Sequence, residues 1–172
     1  AHHGLPKGHT MKEAYKIGIQ SLPILIVISG FVGTNLALQG YNAFKPLGGQ
    51  RLVGMFVALA GVREMAPIIT AAMIAAKAGT EMTSHIGVMR IREQIDALEV
   101  MAVNPLAHLI APRMLGILMV LPALTMISIF VMMGAACGVS VFQLGLSGEL
   151  FLEFAVDSID AMDFVYGAIK AF

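Results

Sequence analysis

The sequence predicts an all-α integral membrane protein: a polytopic helical bundle with three full spans and the start of a fourth. Three observations predict it. Of 172 residues, 58% are apolar and 13% charged, and mean hydropathy is +0.82. A soluble domain is roughly half apolar and a quarter charged. Long runs carry no charge, and about 20 apolar residues are enough to cross a bilayer core as a helix. The lysines and arginines gather in alternate connections, as positive-inside sorting requires. The same composition excludes other classes. Disorder needs low hydrophobicity and high charge. The 11 basic and 11 acidic residues cancel, which leaves no basic excess for nucleic acid. The single cysteine, Cys137, excludes a disulfide within these residues and any multi-cysteine metal site.

Taken in order, residues 1–10 carry His2, His3 and His9 and read as a tag remnant or tail, with a metal site as the alternative. The first span, about residues 17–44, lies between Lys16 and Lys45. It is too long for a signal-peptide core and lacks a small-residue cleavage pattern. Its Gly30 and Gly33 are tolerable in a membrane helix. Pro46, Leu47, Gly48, Gly49 and Gln50 make a tight turn. The second span, about 52–79, is interrupted only by Arg63 and Glu64. A charged connection, 80–112, follows. The third span, about 113–142, has its strongest stretch at 115–133, with a kink expected at Pro122. Segment 145–163 holds Glu149, Glu153, Asp157, Asp160 and Asp163 without a basic residue. Residues 164–172, apolar except for Lys170, read as the first turns of a further span in a chain that is C-terminally incomplete.

Orientation follows from the cations. Lys7, Lys12 and Lys16 flank the first span, and Lys77, Arg90, Arg92 and Arg113 lie in or beside the 80–112 connection. The 46–50 turn has only its flanking Lys45 and Arg51, and the acidic segment has none. The N-terminus and the 80–112 connection are therefore predicted to be cytoplasmic, and the turn and acidic segment to face the other side.

Charges inside a span are costly and usually face a bundle interior or a water-filled cavity. Arg63 and Glu64 are adjacent and point about 100° apart on a helix, so each requires another partner. Two readings stand: a polar site for a head group or gate, or a buried ion pair that locks helices. Ala71, Ala75 and Gly79, and likewise Gly134 and Gly138, recur at spacing four and predict close helix packing, a homodimer seam included. In the connection, Thr83 or Ser84 is predicted to cap a helix starting near His85. Ile91, Ile95, Leu98 and Ala102 share one face, Arg90, Arg92, Glu93, Gln94, Asp96 and Glu99 spread over the rest, and Asn104–Pro105 ends it. Such a helix lies on lipid or docks on a cytoplasmic partner. Its acidic character favours the partner. The 13 methionines suit either a loose lipid cavity or ordinary membrane core. His85 and His108 lack a companion at ligand spacing and carry no predicted chemistry. G-x-x-x-x-G-K-[ST], G-x-S-x-G, H-E-x-x-H and CxxC are all absent from these residues, which contain no ATPase, covalent or metal-catalytic motif.

The run R-E-M-A-P-I-I-T-A-A-M-I-A-A-K-A-G-T-E-M from Arg63 resembles the second span of the MlaE/YrbE family. These are permease subunits of the ABC transporters that work with MCE proteins on lipids. E-Q-I-D-A-L-E-V-M-A-V-N-P from Glu93, Pro112–Arg113, S-L-P-I from Ser21, L-Q-G-Y from Leu38 and Ile169–Lys170 match as well, so the resemblance covers nearly the whole chain after the first dozen residues. It implies five spans in the full-length protein and an inner-membrane location. It further implies a homodimer that binds two copies of a cytoplasmic ATPase and sits under a periplasmic ring of six MCE subunits. ATP and Mg would belong to the ATPase, with no cofactor in this chain. Helix 93–101 would be the coupling helix, with Arg90, Glu93, Gln94, Asp96, Leu98 and Glu99 facing the ATPase. A lipid pocket would be lined by Leu36, Ala43, Phe44, Leu47, Arg63 and Glu64. Leu47 departs from the family, where an aromatic is usual.

The expected mechanism holds acyl chains on the apolar residues and an anionic head group on Arg63, with ATP-driven closure collapsing the pocket. The transporter would maintain outer-membrane lipid asymmetry or take up lipid. The competing class is a stand-alone oligomeric channel or secondary carrier with Arg63 and Glu64 on an ion path; a structural anchor is a third.

Overall fold

The computed structural model describes residues 7–101 and 110–172, and every regular element among them is helical. Three stretches are long and apolar enough to cross a membrane: Ala14–Leu47, Gln50–Ile91 and Ala111–Phe142. The expectations for His2, His3, Ala102, Asn104, Pro105 and His108 lie outside the described residues.

Helix α1, Lys7–Phe44, runs through Pro23. Its last carbonyls are closed by the turn: Gly49 N–H donates to Phe44 O (3.0 Å) and Gly48 N–H to Lys45 O (3.2 Å). Gly48 has φ 68°, a conformation in which a Cβ is strained. Two single 3₁₀ turns, Lys45–Leu47 and Gln50–Leu52, complete the predicted tight connection.

The second span has three parts: α2, Val53–Ala60; a π-helical turn, Gly61–Met65; and α3, Ala66–Ile91. The expectation of a helix starting near His85 is corrected here. Thr83 and Ser84 lie inside α3, and Thr83 Oγ1 donates back to Gly79 O (2.8 Å). Because the helix is already propagating, the amides after Ser84 have backbone acceptors and no cap is needed. The break comes at Glu93, whose φ is 57°, and α4, Gln94–Val100, starts after it. Helix α5, Ala111–Phe142, continues through Pro122. Two short helices follow, α6, Gly148–Asp157, and α7, Ala161–Lys170.

The residues form two compact units. One comprises 7–22, 72–101 and 110–120. Ala14, Ile17, Met73 and Ile74 are buried in it, Lys16 pairs with Glu81 (2.7 Å), and Lys77 donates to the Gln20 carbonyl. The other comprises Pro23–Ala71 and Leu121–Phe172. Its core joins Leu36, Ala37, Val53, Val57, Val62, Ala66, Ile129, Met132, Ala136 and Phe151. α1 and α5 touch closely in it, because a Cβ at Gly33 would overlap the Met132 carbonyl. Ser29 and Ser128 share a buried hydrogen bond (2.7 Å) across the same pair, which satisfies both hydroxyls where water is excluded.

The predicted small-residue rows are not what brings these helices together. Among the described residues nothing lies within 4 Å of a Cβ at Gly79, Gly134 or Gly138, and Ala75 is exposed.

Candidate functional site

Arg63 and Glu64 stand on the π turn. The local cause is Pro67. It has no N–H, so the carbonyl four residues earlier, that of Arg63, loses its α-helical donor. The backbone widens here, and Ala66 N–H reaches Gly61 O, five residues back. Such single π turns occur often at functional sites.

The two charges diverge as their spacing requires. Arg63 Nε lies 2.8 Å from Asp163 Oδ1, and Nη2 donates to Oδ2 at 2.9 Å. This is the two-pronged geometry that a planar guanidinium makes with a carboxylate. Asp163 Oδ2 also accepts the Asp160 N–H (3.1 Å), closing a capping box at the start of α7. At the other end of α7, Lys170 Nζ donates to Arg63 O (3.1 Å), the carbonyl that Pro67 left open. Between them Gly167 lies over the turn, where a Cβ would be 3.3 Å from the Val62 carbonyl. Asp163, Gly167 and Lys170 fall at i, i+4 and i+7, one face of a helix. That face lies on the π turn. The hydrogen bond from Arg63, outweighing desolvation, holds the Asp163 carboxyl below its ordinary value.

The prediction that Arg63 requires another partner is met by Asp163. Glu64 is exposed and has no hydrogen-bonding or ionic partner among the described residues. The sequence does not mark Asp163 or Lys170 as partners of the π turn, because a pairing a hundred residues away leaves no local trace. Two signals existed: Pro67 four residues after Arg63, and the 163/167/170 spacing.

The apolar residues expected around a lipid occupy different environments. Leu36 is buried in the core with Val57 and Met132. Ala43 is exposed. Phe44 packs edge-on against Phe56 at 5.9 Å. Leu47, in the first 3₁₀ turn, is 79% exposed.

In the connection, Arg90 Nη1 bonds Asp96 Oδ1 (2.9 Å) across the break at Glu93, and Ala97 N–H donates to Glu93 O (3.1 Å). Glu93, Gln94 and Asp96 are exposed, and Leu98 is half-buried; the Glu99 side chain lies outside what is described. Ile91, Val100 and Met101 are exposed as well, at 84%, 88% and 63%. Among the described residues no three His, Cys, Asp or Glu side chains cluster to hold a metal.

Comparison with known proteins adds to this geometry. A family model described as Permease MlaE matches residues 10–172. The intermembrane phospholipid transport system permease protein MlaE of Haemophilus influenzae is 34% identical, over 94% of this chain and 62% of its own length. A probable ABC transporter permease protein of Synechocystis is 32% identical, over 84% and 55%. The chloroplastic protein TRIGALACTOSYLDIACYLGLYCEROL 1 of Arabidopsis thaliana is 31% identical, over 95% and 47%. The chain thus spans about half to three-fifths of the length of these relatives.

Proposed function

The chain belongs to the MlaE permease family, and from that premise we propose that it is the membrane-embedded permease part of an ABC transporter for phospholipid or a related lipid. The observation that carries this reading is the family match along residues 10–172 together with 34% identity to a phospholipid transport permease. The transporter moves lipid between the bacterial inner membrane and a periplasmic MCE protein. The N-terminus is cytoplasmic, and the permease works as a homodimer. A separate cytoplasmic ATPase binds ATP and Mg and supplies the energy.

Within this reading Arg63 receives an anionic head group. Its side chain remains 46% exposed while it holds Asp163. Ala43, Phe44 and Leu47 contact acyl chains, with Leu36 supporting them from the core and Glu64 setting the polar edge. Residues Arg90, Glu93, Gln94, Asp96, Leu98 and Glu99 dock on the ATPase. The exposed Ile91, Val100 and Met101 support that docking, since exposed apolar side chains beside charges suit a protein interface. ATP-driven closure of the ATPase moves α4 as a rigid piece, and the movement displaces lipid from the pocket. The names of the ABC permease relatives support this class over a stand-alone channel or carrier.

The test is reconstitution of the full-length permease with its operon-encoded ATPase and MCE protein in proteoliposomes, with ATP-dependent transfer of fluorescent phospholipid as readout. ATP-dependent transfer is expected. Ion flux without the ATPase would overturn the reading.

A further inference from the structure

We propose that one end of α1, α3 and α5 forms a site for the head group of an anionic phospholipid, separate from Arg63. Its place in the cytoplasmic leaflet rests on the reading that the N-terminus is cytoplasmic.

Each span sends one cation to this place. Lys16 stands just before the first apolar run, Lys77 in the last turn of the second, and Arg113 at the start of the third. All three lie in the first compact unit, and its helices gather them around one carboxylate. Lys16 Nζ donates to Glu81 Oε1 at 2.7 Å, and Lys77 and Arg113 act on Glu81 through space. Lys77 also donates to the Gln20 carbonyl, which ties α3 to α1. Three cations around one acid leave two positive charges in excess in this group. They stand where a span meets the head groups, and a surplus cation there is costly beside hydrocarbon but stabilised beside a phosphate. A cleft adjoins the charges. Glu81 and Arg113 line it together with Ile17, Ala78, Met82 and Ile117. One turn past Ile117 the helices touch, since a Cβ at Gly18 would stand 3.1 Å from Val120 Cγ1. Met114 and Leu118, each one position past the cleft residues of α5, are 47% and 41% exposed and extend its apolar surface. A soluble anion uses only the charges of such a cleft, whereas a lipid uses the charges and the apolar side chains together. Basic pockets between membrane helices are known seats of anionic head groups.

The test is native mass spectrometry of the full-length permease with its operon-encoded partners. The complex is held in dodecyl maltoside micelles with equal amounts of dioleoyl phosphatidylglycerol and dioleoyl phosphatidylcholine, and retained lipid is ejected and identified by mass. An Arg63→Gln background weakens the other proposed head-group site. Phosphatidylglycerol is expected in excess by about thirtyfold, from two surplus cations of the strength usual near an anionic membrane. Lys77→Gln with Arg113→Gln should abolish the preference. Glu81→Gln should raise it about fivefold, because it removes the competing carboxylate. That gain separates a binding site from charges that merely pin helices, which would lose by breaking the Lys16–Glu81 pair, and it serves as the test should the double variant fail to assemble. Equal retention of both lipids in the background and in Glu81→Gln overturns the site, and protein then answers the excess charge. Displacement of phosphatidylglycerol by an equal concentration of inorganic phosphate overturns the lipid assignment in favour of a soluble anion. A preference that appears only after the ATPase is stripped away overturns it in favour of an acidic surface on that subunit. The leaflet is read separately. With Cys137 and any other cysteine replaced, Tyr15→Cys, 71% exposed beside Lys16, is labelled by a membrane-impermeant maleimide. Labelling in inverted vesicles but not in spheroplasts places the site in the cytoplasmic leaflet. Labelling in spheroplasts overturns the orientation and leaves the head-group site standing in the opposite leaflet.

Discussion

At the residue scale, the partner of Arg63 changes how its variants are read. Arg63→Glu removes a cation, but it also sets a second carboxylate against Asp163 at a position where the native atoms are 2.8 Å apart. It is therefore expected to abolish lipid transfer and to loosen α7 at once. Arg63→Gln with Asp163→Asn separates the effects, since no unpaired charge is left behind. We expect this double variant to retain a thermal midpoint close to the parent, measured by fluorescence-detected size exclusion, while head-group affinity falls. A midpoint as low as that of Arg63→Glu would show that the ion pair, and not the avoidance of repulsion, holds the fold. The hydroxyl pair offers a smaller effect. A double-mutant cycle on Ser29→Ala and Ser128→Ala should give a coupling of about 0.6 kcal/mol, the usual worth of an interhelical hydrogen bond in a membrane protein; reversible unfolding in mixed micelles measures it. The sequence makes the cost of Arg63 in a span legible. It does not reveal Asp163, because hydropathy and periodicity report what a residue requires and not which distant residue supplies it.

At the element scale, the second span reads in sequence as one apolar run interrupted only by Arg63 and Glu64 but forms three helical pieces in structure. Pro67 marks the reason. Pro67→Ala restores an N–H four residues after Arg63, which then competes with Lys170 for the Arg63 carbonyl. The expected outcome is collapse of the π turn to α geometry and faster acylation of Lys170 by an amine-reactive reagent. Unchanged Lys170 reactivity would mean that the wide turn is held by packing around Val62 and Gly167 instead. The break at Glu93 was likewise hidden. Thr83 or Ser84 ahead of the amphipathic stretch looks like a cap, yet capping chemistry within an already propagating helix has nothing to satisfy. The left-handed φ at Glu93 costs a side-chain-bearing residue about 1–2 kcal/mol, and glycine there avoids it while adding about 0.5–1 kcal/mol of chain entropy to be lost. Glu93→Gly should thus leave stability within about 1 kcal/mol of the parent, whereas the β-branched Glu93→Val should destabilise. Since Glu93→Gly preserves the turn and removes only the side chain, loss of lipid-stimulated ATP hydrolysis in that variant would assign the carboxylate itself to ATPase docking. Normal hydrolysis would confine Glu93 to shaping the turn.

At the scale of the whole molecule, the fold class was the most legible feature, because the absence of charge from a run of span length is a bulk property that the bilayer reads directly. Which helices pack against which was not, and the small residues show why. Gly33 draws α1 onto α5 but carries no repeat that would mark it, while the rows Ala71/Ala75/Gly79 and Gly134/Gly138 have the repeat and open space beside them. A row of small residues that the chain leaves uncovered fits a second copy, which lets two backbones approach closely. If the Gly134/Gly138 row forms that seam in the proposed homodimer, Gly134→Leu should displace one permease from its partner without unfolding either, because among the described residues nothing lies within 4 Å of the added Cβ. Native mass spectrometry of the complex extracted with its operon neighbours is the measurement. The parent is expected to fly as two permeases with two ATPases, an MCE hexamer and retained lipid, and Gly134→Leu as a complex with a lost permease and ATPase. An intact assembly in the variant would place the seam elsewhere. A parent mass with no ATPase would reach further, because the charged surface around Asp96 would then require an explanation other than docking.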